Sequence, residues 1–148
     1  MTLATTKLKL SPALRWLLLV PAALAAWWAT LLVGMLVYDW VEALCPPAQV
    51  VSGFCTNPRV NAALDALMIV FAGLSAIAVE AAVVRTAPGR KVACCWLAFA
   101  AGSAVAVLGF GQGIMMASVL APVLSAVTCG FVYALVITAR LRKPPAAA

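Results

Sequence analysis

Histidine is absent from this chain. That removes the usual axial ligand of haem, the commonest metal ligand and the side chain best suited to moving protons near neutral pH. His-based catalysis is excluded, and no metal or cofactor is expected. Charge is also scarce: 9% of the 148 residues are charged while 66% are hydrophobic. A soluble domain of this length needs far more charge to coat its surface, so the apolar excess must face lipid. The formal net charge of +6 does not point to nucleic acid. The basic residues sit in short groups between long apolar runs, which is the pattern of a membrane topology signal. Repeats, domain boundaries and low-complexity segments are missing too, apart from the Pro-Pro-Ala tail over 144–148.

What the sequence does contain is four runs long enough to cross a bilayer. A hydrocarbon core of about 30 Å takes roughly 20 apolar residues in a helix, and residues 16–38, 62–84, 92–110 and 119–139 meet that need. The fold expected is all-α: a single integral membrane domain over 1–148, four transmembrane helices in an antiparallel bundle, with an outer loop over 39–60. Lys7, Lys9, Arg15, Arg85, Arg90, Lys91, Arg140, Arg142 and Lys143 fall on one side of these spans, and Arg59 alone on the other. Under the positive-inside rule that division predicts both termini in the cytoplasm. The first span has the basic start of a signal peptide, with small residues at Ala23-Leu24-Ala25, but its apolar run continues to Tyr38 and predicts a retained anchor. The apolar, Ala-rich composition of the whole chain suits a bacterial inner membrane.

Local signals sharpen the ends. Asn57 is placed to cap the second span, with Pro58 at its first helical position, and Ala87-Pro88-Gly89 closes it as a turn. Pro122 falls in the opening turn of the fourth span, and Pro21 one turn into the first, where a slight bend is expected. In the third span Ala100, Gly102, Ala104, Ala106 and Gly109 recur at helix-contact spacing. Packing within the bundle is the favoured reading of that stripe, and a homodimer face the alternative.

Five cysteines divide by position. Cys45 and Cys55 share the outer loop with the turn formers Pro46, Pro47 and Gly53, and a disulfide is expected between them. Closing so short a loop should stabilise by about 2.5–3 kcal/mol in the chain-entropy model. A redox-active pair is the sharper alternative, but the Cys-x-x-Cys motif on which membrane thiol oxidoreductases rely is not present. Cys94 and Cys95 form a possible thiol pair at the start of the third span, beside Arg90 and Lys91, where a thiol is best placed to react. Cys129 lies deeper, so a three-cysteine metal site is disfavoured, and free cysteines in apolar helices usually behave as small hydrophobes.

The second span carries the ionisable groups at membrane depth, Asp65 and Glu80. Such groups are costly in lipid and usually face a bundle interior. They lie about 60° apart on a helical wheel, with Asn61 beside Asp65, so this polar stripe is expected to turn inward. A proton or cation path would place Asp65 at the outer mouth and Glu80 at the inner, with Thr30, Ser103, Ser125 and Thr128 as the hydroxyls other spans can add. The favoured alternative is local pairing, Glu80 with Arg15, Arg90, Lys91 or Arg140 and Asp65 with the outer loop. Trp27 and Trp28, near the centre of the first span, are candidate walls of an apolar pocket. Trp16, Tyr38, Trp40 and Trp96 read as interfacial anchors.

Two functions from different classes follow. The first is a non-enzymatic protein acting by helix–helix contact, an accessory subunit, assembly or immunity-type factor. Its partners are the lipid bilayer and another membrane protein or a second copy, with no nucleic acid. The second is a small proton- or cation-coupled transporter or channel using Asp65 and Glu80. Thiol redox or heavy-metal handling is the weaker third.

Overall fold

The computed structural model describes residues 11–111 and 117–142. The second connecting turn, the C-terminal tail, and the cations Lys7, Lys9 and Lys143 lie outside the described residues. A short helix α1 (Pro12–Leu17) opens on Ser11, whose hydroxyl accepts from the Leu14 amide, with Pro12 in the first helical position. Helix α2 (Leu19–Glu42) follows after a single intervening residue, Leu18. The interruption has a chemical cause. Pro21 has no amide hydrogen to give to the Leu17 carbonyl one turn back, and its ring crowds that carbonyl. The ladder resumes with Ala22, whose amide donates to the Leu18 carbonyl at 2.9 Å. The local effect of Pro21 is thus a one-residue interruption at Leu18, which itself keeps right-handed helical φ and ψ.

The outer loop is more ordered than a stapled coil. After a 3₁₀ turn (Pro47–Gln49), strands β1 (Val50–Val51) and β2 (Phe54–Cys55) pair antiparallel, Val50 with Cys55 and Val51 with Phe54. Ser52 and Gly53 make the two-residue turn, both at positive φ (51° and 85°), which matches the right-handed twist of a hairpin. Thr56 closes the base, its amide and its hydroxyl both donating to the Gln49 carbonyl at 2.8 Å. As expected, Cys45 and Cys55 lie at disulfide distance, with their Cα atoms 6.0 Å apart.

Helix α3 (Pro58–Thr86) starts where its cap dictates: the Asn57 side chain accepts from the Arg59 amide at 2.9 Å, and Pro58 follows. It stops short of Pro88. The left-handed residue of the next turn is Arg90 (φ 48°), not the adjacent Gly89, and Arg90 then accepts from the Cys94 amide to open α4 (Lys91–Gly111). Helix α5 (Ala117–Arg142) begins two residues before the predicted span, so Pro122 sits in its second turn. All four long helices have the length and apolar character needed to cross a membrane.

Helix α3 is the hub. It packs against α2, α4 and α5, and α4 packs against α5. Val83, Ala87 and Cys94 form a buried cluster covered by Leu19, Ala23 and Ala98. An aromatic group fastens α4 to α5: Trp96 and Phe99 each stand edge-on, with ring centres 5.8 Å apart, and both meet Phe131. The Trp96 indole also donates to the Thr138 hydroxyl at 3.1 Å, so this residue ties two helices together besides ending a span. By contrast α2 has no buried residue.

Candidate functional site around Glu80

Two glycines let α5 approach α3 closely. A Cβ on Gly73 would stand 2.9 Å from both the Ser125 hydroxyl and the Cys129 sulfur, and one on Gly130 would stand 2.7 Å from Glu80 Oε1. Neither position tolerates a side chain without displacement. The close approach leaves Glu80 enclosed by α3, α4 and α5 and only 3% exposed. Its Oε2 accepts from the Cys95 thiol at 3.5 Å. This is a weak bond from a weak donor. Oε1 lies over Gly130, and among the described residues no buried side-chain oxygen or nitrogen is left without a hydrogen-bond partner.

Glu80 is also among the residues that line an apolar cleft of about 610 Å³ between α2 and α4, together with Leu19, Ala23, Trp27, Val79, Phe99 and Ala106. Ser75 and Ser103 supply the hydroxyls at its edge. A second hollow of about 280 Å³, against Thr30, Gly34, Phe71 and Pro122, holds no charged group.

Several expectations change. Glu80 is buried as the helical wheel required, but Asn61 and Asp65 are exposed, so the three do not form one inward stripe. Nor is Glu80 paired with a cation among the described residues: its donor is Cys95, while Arg15, Arg90, Lys91 and Arg140 are all exposed. Two of the four hydroxyls proposed for a relay, those of Thr30 and Thr128, are held by their own helices, as is that of Ser75 on α3. Thr30 donates to the Ala26 carbonyl, Ser75 to Ala72 and Thr128 to Leu124, each at 2.8 Å. Among the described residues no polar chain connects Asp65 to Glu80.

The thiols also fall differently. Cys94 and Cys95 are 8% and 0% exposed, packed inside the helix contact rather than presented as a reactive pair. Cys129 fills the α3–α5 contact at Gly73. No cluster of three metal-ligating side chains occurs among the described residues. Of the small-residue stripe of α4, three members do not pack within the bundle, Ala106 is half-buried at the cleft, and the surroundings of Gly109 lie outside the described residues. Ala100, Gly102 and Ala104 are exposed, and a Cβ on Gly102 would meet open space. Helix α4 turns Cys95 and Phe99 inward instead. Of the two central tryptophans, Trp27 lines the cleft, while Trp28 stands edge-on to it with ring centres 5.5 Å apart and is 57% exposed.

Comparison with known proteins gives no relative: no family model, curated protein or solved structure matches this chain.

Proposed function

We propose that this chain is a small non-enzymatic multi-pass protein of a bacterial inner membrane. In this reading it is an up-down antiparallel bundle with both termini in the cytoplasm, and it works as a cation- or proton-linked transporter through Glu80. Support for the topology comes from the order of the contacts. Gly34 of α2 meets Phe71, while Leu19 and Ala23 lie against Val83 and Ala87. Trp96 of α4 reaches Thr138, while Phe99 meets Phe131. Sequence number rises on one helix as it falls on its neighbour. The clustering of Arg15, Arg85, Arg90, Lys91, Arg140 and Arg142 against lone Arg59 supports the orientation. A reporter fused after residue 142 should be active in the cytoplasm, and periplasmic activity would reverse the scheme.

The observation that carries the transport reading is the buried Glu80 among the residues that line the cleft. An ionisable side chain inside a span, with no counter-ion among the described residues, costs stability, and function is its default explanation. Asp65 drops out of the mechanism because it shares neither the cleft nor a polar chain with Glu80. Reconstituted protein should carry a current across vesicles under a cation gradient. Glu80→Gln should remove that current and Asp65→Asn should leave it. A current no larger than that of protein-free vesicles defeats the reading.

The contact reading stands second, favoured by α2. With no buried residue and with Trp28, Leu32 and Leu36 all more than half exposed, this helix has a face that a partner helix can cover. Co-purification of a stoichiometric membrane partner, with no current, would decide for it.

A further inference from the structure

We infer that the Glu80 cleft binds a lipophilic organic cation, a positively charged nitrogen or phosphorus centre on an apolar, ring-sized body, taken up from within the bilayer. This rests on the reading of the cleft as the working part of the protein and adds the class of guest.

Size comes first. The cleft volume of about 610 Å³ falls within the range of small-molecule sites. Its lining runs along α3 from Ser75 to Val83, about 12 Å at the helical rise. A guest of two to four rings fits that length. A whole transmembrane helix, at about 30 Å, does not.

Chemistry narrows the guest further. The walls are aliphatic and aromatic, so the guest must present apolar surface. Two of them, Trp27 and Phe99, are aromatic, and the face of such a ring attracts an organic cation. One lining residue, Glu80, is an acid, and the seven described cations are all exposed, none of them lining the cleft. Positive charge must therefore arrive with the guest. An anion would meet Glu80 unshielded. A bare metal ion is excluded by the donor set, since a hard cation needs about six oxygen ligands and the cleft offers one carboxyl and two serine hydroxyls, one of them donating to its own helix. A neutral hydrocarbon could use the walls but would gain nothing from Glu80.

Access is lateral. Val20 and Leu24 on the α2 rim and Val105 on the α4 rim are exposed, so the cleft opens sideways through apolar side chains rather than through the polar ends of the helices. Gly102, with open space over its Cα, widens the same side.

The test is calorimetric titration of the purified protein in lipid nanodiscs with tetraphenylphosphonium, and with triphenylmethane as a neutral body of similar shape. The cation should bind saturably at one per chain, at least about tenfold tighter than the neutral compound. Glu80→Gln should weaken cation binding by about tenfold or more while leaving neutral binding unchanged, and Glu80→Asp should restore most of it. Gly102→Trp, which fills the open side, should abolish binding of both, and circular dichroism should show its helices intact. Equal affinity for the two compounds, or cation binding indifferent to Glu80→Gln, overturns the inference and leaves a plain lipid groove. Glu80-dependent binding without any current would sustain the inference and defeat transport. A Glu80-dependent current without cation binding would do the reverse.

Discussion

Gly130 and Gly102 are both glycines in apolar helices, yet they belong to opposite kinds of surface. Gly130 sits where α5 closes on α3 with no room for one more carbon, while Gly102 looks into space. Glu80 lies between these two regions, pressed against Gly130 on one side and bordering the cleft on the other. The contrast shows how a bundle of this size divides its labour. One seam is closed by small residues, as membrane helices require for close approach. The opposite seam is held apart, and a carboxyl is left at the junction.

Substitutions can break or sharpen that division. Gly130→Val should have the largest effect, a loss of about 3 kcal/mol or more, because both Glu80 and Phe99 must move. Denaturant titration in micelles measures it, and a loss under about 1 kcal/mol would mean the seam is not closed. Next, replacing Cys45 and Cys55 by serine, far from either seam, should cost about 2.5–3 kcal/mol in the same titration. It should leave cleft binding untouched, and any change in binding would show that the hairpin governs the helices below. Thr138→Val removes the acceptor of the Trp96 indole and should cost about 1 kcal/mol. An unchanged midpoint would place the α4–α5 attachment in the aromatic rings alone. Smallest is Gly102→Ala, where the expected change is neutral or a gain of up to about 1 kcal/mol, since alanine suits a helix better and meets no obstacle. A clear loss there would erase the contrast with Gly130.

The spans were legible because lipid imposes a length and an apolar character that no local propensity can disguise. Asn57 and Pro58 marked the start of α3 in advance, and the same physics placed Cys45 and Cys55 together. The hairpin between them was not legible: strands of two residues are too short for any alternation, and Ser52-Gly53 was the sole cue. At the site, the helical wheel gave the angle of Glu80 and Asp65 but not their neighbours, and neighbours decided which one was enclosed. Small residues were sought where they are dense, in α4. The close contacts are made by the more isolated Gly73 and Gly130, where a glycine inside a helix already costs about 1 kcal/mol and so signals a spatial reason. The cleft depends on how far α2 stands from α4, a distance no single helix encodes.

One consequence of the cross-linked hairpin concerns exchange between copies. From Glu42 to Pro58 the free chain could reach about 55 Å when extended, far enough for α2 to lodge on a neighbouring molecule. With Cys45 bonded to Cys55 the shortest covalent path runs through the sulfurs, and the reach falls to about 27 Å. The oxidised loop is thus a leash: it keeps α2, a helix with no buried residue, docked on the α3 of the same chain.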